Sequence, residues 1–434
     1  MISLELFMLD INLIRENPEA VRQALLKRMD TVDFTELLQW DKQRRESITE
    51  VGVLRETRNK VSAQIPQMKK AGEDTTSLQQ DMKEVSTQIK TIESNLSQVE
   101  QNIRDFLVGL PNIPADDVIA GDKDKNEVVR TWGELPVFGF EPKDHVDLVT
   151  SLRLIDYERG VKMGGTGFWL YIGDGARLEW ALLNYFIDQH TQDGYEFILP
   201  PHILNEACGY AAGQFPKFAD DVFLLKNDDD KIQFLLPTSE TALINLHRDE
   251  IIPEDELPKK YFSYTPCYRK EAGSYRAQER GMIRGHQFNK IEMFQYTRPE
   301  DSNDALEELI GKAERLVQGL GLHHQVSKLA AKDVSASMAK TYDIEVWIPS
   351  MNEYKEVSSA SNAHDYQARR GNIRYKRSDN GKNAFAHTLN ASGLATSRLI
   401  PAIVEQYQQA DGSVIIPEVL RPYLGGKAVF EPKD

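Results

Sequence analysis

Two stretches of this sequence place groups that bind phosphate, purine and amine at strand spacing. The longer one starts at Thr265-Pro-Cys-Tyr-Arg-Lys-Glu-Ala-Gly-Ser274 and ends in Gly281-Met-Ile-Arg-Gly-His-Gln-Phe-Asn-Lys-Ile-Glu292. It reads as strand, polar loop, strand. Alternate side chains of an extended chain share a face. Arg269 therefore goes with Glu271 on the first strand, and Phe288 with Lys290 and Glu292 on the second. A guanidinium clamps a triphosphate bidentately without losing its charge. An aromatic ring covers a purine, and a carboxylate receives an exocyclic or α-amino group. An ordinary hairpin crossed by salt bridges has the same spacing, and spacing alone leaves that reading open.

The other stretch is Phe385-Ala-His-Thr-Leu-Asn-Ala-Ser-Gly-Leu-Ala-Thr-Ser-Arg398. A strand ends at small residues, where a ligand can approach the backbone closely, and a helix begins. Arg398 falls about one turn into that helix, near its positive end, where phosphates are favoured. A capped helix with a solvated arginine would look the same. Pro237-Thr-Ser-Glu240 ends an apolar strand, with Thr238 and Glu240 alternating to one face; a strand-end turn is the plainer alternative. Glu356-Val-Ser-Ser359 sits on a strand and otherwise reads as a solvated sheet face.

The elements that must position these groups are mostly strands. Apolar or β-type runs occur at Gly167–Ile172, Tyr195–Leu199, Ile232–Leu236, Lys260–Tyr264, Gln287–Tyr296, Thr341–Ile348, Lys355–Ser358 and Ala384–Leu389. Helices intervene at about 176–193, 302–320 and 394–409. Without regular βαβ alternation, the pattern predicts an α+β domain with a large, mostly antiparallel sheet and flanking helices. No GxxxxGK[ST] loop, strand-linked GxGxxG, HExxH or GxSxG occurs, so a bound nucleotide has to be held by something other than a glycine loop.

The N-terminal quarter has a different texture. Asn17 and Pro18 suit the start of a helix over 17–29. Leu78, Met82, Val85, Ile89, Ile92, Leu96, Val99, Ile103 and Phe106 alternate at spacings of four and three, the stripe of a coiled-coil seam. Val51, Leu54, Val61, Ile65 and Met68 give a looser partner stripe with Arg44 and Arg58 on it. Lys69–Thr76 provides the reversal. The prediction is a long antiparallel helical hairpin over about 34–107, projecting from a body. Residues 42–70 carry eight basic groups against three acidic, a net +5, and residues 73–105 three against seven, a net −4. Flanks paired across the hairpin explain that asymmetry, and a basic edge for a phosphate backbone explains it as well.

The whole chain of 434 residues has 52 basic and 67 acidic side chains, a net charge of −15, which excludes a general polycation for nucleic acid. Its two cysteines, Cys208 and Cys267, exclude a disulfide scaffold and a zinc site of several thiolates. No apolar run reaches membrane-span length. The first ten residues lack a basic n-region, so no signal peptide is expected, and a reducing cytoplasmic location is the default.

Taken together, these motifs resemble the seryl-tRNA synthetases of the common bacterial and eukaryotic type, a family of class II aminoacyl-tRNA synthetases. The resemblance runs from about Met8 to about Gly426, leaving Met1–Phe7 as an extension or an upstream start. Gly194–Pro201 is similar to class II motif 1, Tyr268–Glu292 to motif 2 and Asn390–Arg398 to motif 3. Gly213-Gln-Phe-Pro-Lys-Phe218 and the run from Gln408 to Pro422 are similar to phrases of this synthetase. The resemblance implies an N-terminal tRNA-binding domain over 1–109, a linker over 110–126 and a catalytic domain over 127–434.

It also implies roles. Thr238, Ser239, Glu240, Glu292 and Ser392 would bind serine. Arg269, Lys270, Glu271, Gly285, Phe288, Glu356, Val357, Ser358, Ser359 and Arg398 would bind ATP, with Arg269 on the α-phosphate, Phe288 stacked on adenine and Arg398 on the γ-phosphate. Arg269 and Arg398 would carry catalysis, and Glu356 with Ser359 would meet Mg²⁺; no zinc is expected. The implied reaction is serine activation with ATP and transfer to the 3′ end of serine tRNA, gripped by the helical arm, with selenocysteine tRNA a candidate second acceptor. A homodimer is implied through motif 1, with no DNA and no membrane partner.

Departures from the family pattern mark a divergent member. The motif 2 loop is Ser274-Tyr-Arg-Ala-Gln-Glu-Arg-Gly281, keeping only Arg280 and Gly281 of the usual run; Ala360 stands where cysteine is common; Asn390-Ala-Ser and Thr396-Ser-Arg replace glycine-bearing versions. A second, inhibitor-resistant copy is one alternative. A ligase loading an amino acid on a carrier protein is another, which the intact seam opposes because such relatives lack the arm.

Overall fold

The computed structural model describes residues 9–226, 231–271 and 281–433, and divides into two compact units, Met1–Leu110 and Pro111–Asp434. In the first unit two short helices, Ile11–Glu16 and Pro18–Leu25, precede α1 (Thr35–Lys70) and α2 (Thr76–Gly109). The helix expected over 17–29 is shorter than its pattern. Pro18 opens it, but the Asn17 side chain makes no capping bond.

The two long helices pair along their length as an antiparallel hairpin, and the seam is the one written in α2: Ile89, Leu96, Val99 and Ile103 are buried. Trp40 of α1 meets Phe106 of α2 edge-on at 6.3 Å. The charge asymmetry is partly resolved across the hairpin. Arg44 pairs with Glu100 at 3.1 Å and Arg55 with Glu93 at 2.5 Å.

The second unit is built on an eight-stranded sheet of β1 (Glu127–Trp132), β2 (Glu196–Ile198), β3 (Lys259–Tyr268), β4 (Gln287–Thr297), β5 (His324–Lys328), β6 (Lys340–Ile348), β7 (Glu353–Asn362) and β8 (His387–Ala395). Their spatial order is β1-β5-β6-β7-β8-β4-β3-β2. Every neighbour is antiparallel except β2, which runs parallel to β3 at the edge. β1 and β5 had no sequence signal strong enough to predict; all six residues of β1 are exposed, so no apolar face marks it. The Gly167–Ile172 run forms only a two-residue strand, Leu170–Tyr171.

Helices α3 (Asp174–Gln192), α4 (Ser302–Gly319) and α5 (Thr396–Gln406) contribute to one core against the sheet. Leu182, Phe186, Leu309, Leu316 and Ile403 belong to it together with Ile291, Met293, Ile344 and Leu389 from the strands. Each such side chain contributes roughly 1.5–3 kcal/mol by leaving water. β4 shows why the site lies where it does. Ile291 and Met293 belong to this core; Phe294 and Tyr296 fill a second cluster with Ile252 and Tyr375; Lys290 and Glu292 line a cavity.

Of the stretch read as a linker over 110–126, residues 111–126 belong to the second unit. Asn112 is buried and donates its amide to the carbonyls of Ser337 and Ala363, and Ala115 N–H donates to Ala339 O. Among the described residues, no helix is long and apolar enough to cross a membrane.

Candidate active site

Two adjoining cavities open within the second unit. The larger, about 430 Å³, is lined by Thr238, Glu240, Lys290, Glu292, Asn390 and Ser392, and also by Gly213, Gln214, Ser337 and Met338. The smaller, about 70 Å³, is lined by Ile283, Arg284, Gly285, Phe288, Val357 and Arg398. Arg269, Glu271, Lys290, Glu356 and Ser392 border both and form a shared wall.

On the larger side, Thr238 is not on a strand. The strand ends at Leu235 and the chain turns into a short helix, Glu240–Leu243. Thr238 Oγ1 accepts the Glu240 main-chain N–H at 3.3 Å, which still brings both side chains to the cavity. Glu240 is clamped by Gln367 Nε2 at 2.7 Å and faces Asn390 Nδ2 at 3.5 Å; Asn390 also donates to Glu292 Oε1 at 3.0 Å. Burial and the nearby Glu292 carboxylate push Glu240 up to about 7, against the pull of Gln367, Lys290 and Arg269. A pocket with two carboxylates, a hydroxyl and an amide suits a small zwitterion with its own hydroxyl.

Arg269 and Glu271 do not share a strand face as the spacing suggested. β3 ends at Tyr268; Arg269 N–H adds one rung to His286 O at 2.9 Å, and then Lys270 N–H leaves the hairpin to bond Asp221 O. Glu271 has φ +52 and takes Arg284 Nη1 at 2.5 Å. Both side chains nevertheless border both cavities. The Arg269 guanidinium lies 5.2 Å from the Phe288 ring centre, with Nε donating to Pro237 O at 3.1 Å. An aromatic face and a guanidinium thus bound one slot, the arrangement a nucleotide needs. Gly285 lines it and has no room for a side chain: a Cβ there would fall 2.1 Å from the Trp169 ring.

Arg398, the third residue of α5, does not face solvent. Its Nε donates to Ile283 O at 3.0 Å and its Nη1 to Glu356 O at 2.7 Å. Burial alone would raise the Glu356 carboxyl, but Arg398, Arg269 and Lys290 outweigh it and hold the group below the usual range. Its side chain stays 44% exposed to the cleft, so it remains free to meet a ligand. Ser359 lines the larger cavity, and its Oγ donates to Asp343 at 2.6 Å. One carboxylate and one hydroxyl on β7 fit a hard cation that takes its remaining ligands from phosphate and water. Among the described residues, no group of three or more His, Cys, Asp or Glu is arranged for a metal.

Three candidate residues do not line either cavity. Ser239 is fully buried behind Thr238, Lys270 turns toward Asp221, and the Ser358 hydroxyl donates to the Ser392 carbonyl at 2.6 Å. Asn390 and Gln367 were missed as site residues. Asn390 stands two residues before Ser392, so strand alternation could have found it. Gln367, on a separate helix, had no signal. The altered loop before Gly281 lies outside the described residues.

Comparisons with known proteins span nearly the whole chain. Residues 8–114 match the family model described as Seryl-tRNA synthetase N-terminal domain, and residues 223–407 that of the tRNA synthetase class II core domain (G, H, P, S and T). A protein named Serine–tRNA ligase 2 from Clostridium acetobutylicum is 64% identical over 96% of this chain and 99% of its own. A serine–tRNA ligase from Thermodesulfovibrio yellowstonii is 46% identical over 96% and 99%. The crystal structure of seryl-tRNA synthetase from Pyrococcus horikoshii complexed with ATP superposes with a TM-score of 0.92 at 35% identity, covering 98% of this chain and all of that one.

Proposed function

The chain belongs to the seryl-tRNA synthetase family, and from that premise we infer how its cleft carries the family's reaction. It is a serine–tRNA ligase, which joins serine and ATP to seryl-adenylate and passes the seryl group to tRNA. The observation that carries the residue-level reading is the wall shared by the two cavities, which lets an amino acid and a nucleotide meet at Arg269.

A serine carboxylate oxygen attacks the α-phosphorus, and the bond to pyrophosphate breaks. The hydroxyl at the tRNA 3′ end then attacks the seryl carbonyl, and AMP leaves. Neither step needs a protein nucleophile; both need positioning and countercharge for phosphate oxygens. Thr238, Glu240, Glu292 and Ser392 hold serine, and Ser239 backs them. Arg269 meets the carboxylate and α-phosphate together, and Phe288 carries the adenine between Gly285 and Glu271. Arg398 faces the γ-phosphate. Val357 and Ser358 set the wall, the latter through the Ser392 carbonyl, and Lys270 anchors the end of the hairpin. Glu356 and Ser359 would hold Mg²⁺, which when bound neutralises phosphate charge. A buried pocket built to hydrogen-bond the serine hydroxyl rejects alanine.

The helical arm serves tRNA, and the net +5 of residues 42–70 supports contact with the long variable arm of serine tRNA. The edge strand β2, with Phe197 exposed on it and Leu199 exposed just past its end, supports a homodimer; light scattering at micromolar concentration should give twice the chain mass, and a monomer overturns it. The primary test is ATP–pyrophosphate exchange with each amino acid, then charging of serine tRNA. Serine-dependent exchange and charging are expected; exchange driven by a different amino acid overturns the assignment.

A further inference from the structure

The groups that would receive the serine ammonium, Thr238 and Glu292, already hold donors from the protein itself. A hydroxyl oxygen has two lone pairs. On Thr238 Oγ1 one takes the Glu240 main-chain N–H at 3.3 Å and the other takes the Lys290 ammonium at 2.7 Å. The Thr238 hydroxyl hydrogen has Glu292 Oε2 at 3.5 Å. Glu292 is fully buried and engaged at both oxygens: Oε1 receives Asn390 at 3.0 Å, and Oε2 is ion-paired with Lys290. Lys290 itself is 5% exposed. Of these donors, the main-chain N–H and the short Asn390 side chain are fixed. The lysine alone carries its group on a flexible four-carbon stem.

We propose that Lys290 is a specificity-determining residue whose ammonium takes the amino-group seat at Thr238 and Glu292, that the substrate α-ammonium displaces it, and that the displaced charge turns to the nucleotide side of the shared wall. Lys290 lines both cavities, so the swing stays within the wall it already forms. Glu356, which borders both cavities, supplies a second carboxylate within electrostatic reach of Lys290. Two consequences follow. A hydroxy acid without an amino group leaves Lys290 seated and does not recruit its charge. Serine, by moving a cation toward the site of the triphosphate, tightens ATP binding, and by reciprocity ATP tightens serine binding.

The proposal rests on the reading that Thr238 and Glu292 hold serine, and assigns them its amino group, so its test separates the two. Calorimetry on the full-length protein measures the Kd of serine and of ethanolamine, which keeps the ammonium and hydroxyl but lacks the carboxylate. Each is titrated with and without a non-hydrolysable ATP analogue, in wild type, Lys290→Met, Lys290→Gln, Thr238→Ala and Glu292→Gln. Thermal melts report folding. Without nucleotide, Lys290→Met is expected to bind both ligands about tenfold tighter, and the coupling to the ATP analogue, at least about fivefold in wild type, falls to near one. Lys290→Gln gives the same pair of results if Met does not fold. A lysine with a merely structural role cannot tighten serine binding when removed. Unchanged or weaker serine binding in a folded Lys290 variant overturns the proposal. Serine affinity that survives both Thr238→Ala and Glu292→Gln overturns the underlying reading instead.

Discussion

Arg398 and Glu356 are joined through main chain as well as through charge. The arginine donates to the Glu356 carbonyl at 2.7 Å, while its Nη1 stands 3.4 Å from the carboxylate. With Nε on Ile283 O, one guanidinium ties the first turn of α5 to β7 and to the segment before β4. The group that would meet the γ-phosphate is therefore preorganised before ligand arrives.

Arg398→Lys should fail almost as badly as Arg398→Ala, because an ammonium cannot reproduce a planar fork on two carbonyls. The expected loss of kcat in serine-dependent pyrophosphate exchange is about 10²–10³-fold. Full activity in the lysine variant would show that only charge matters at this position.

Glu179 supplies a pH prediction. It is buried on α3, accepts Asn289 Nδ2 at 2.7 Å and Thr396 Oγ1 at 2.6 Å, and burial lifts it from 4.5 to about 7 despite those two bonds. A carboxyl with a raised folded pKa binds its proton more tightly when folded, so stability falls as pH rises from about 4.5 to about 7. The penalty is fully present above that window, at about 3 kcal/mol. Glu179→Gln should therefore melt increasingly above wild type between pH 5 and pH 8. A gap that stays constant with pH would mean that Glu179 is ionised throughout.

Gly285→Ala should damage the nucleotide slot. The new Cβ meets the Trp169 ring at 2.1 Å and the Gly167 carbonyl oxygen at 3.1 Å. Overpacking of this kind costs about 1–3 kcal/mol, and the strain is delivered at the slot wall. KM for ATP should rise with KM for serine nearly unchanged in exchange kinetics; an equal rise in both would place the damage elsewhere.

Removing residues 34–107 should separate the two half-reactions. The cleft is built wholly within Pro111–Asp434, so serine-dependent exchange is expected to persist while tRNA charging is largely lost. Retained charging would remove the arm from tRNA recognition.

Much of this was legible in sequence because it depends on local periodicity. Alternation of four and three over residues 78–106 specifies a seam whatever the partner helix, since each residue turns the helix by a fixed angle. Alternation of two put Lys290 and Glu292 on one side of β4 and Ile291 and Met293 on the other. The same rule failed one strand earlier, where Lys270 bonds Asp221 and draws the chain out of the hairpin. It failed too at Pro237–Glu240, where a helical turn replaces the strand end.

The sequence by itself determined most of the element types, the arm, and the side chains equipped for an amino acid, a purine and phosphates. Only the tertiary structure decided that they converge. Thr238 meets Glu292 across 54 residues and Asn390 meets Glu240 across 150, and no local pattern encodes such distances. It also decided which neighbours turn away, as Ser358 does toward the Ser392 carbonyl, and which unforeseen groups enter, as Gln367 does. The reason is physical. A strand's period fixes the side a residue takes relative to its own neighbours, whereas burial of the helix layer against the opposite face fixes which side becomes the cleft.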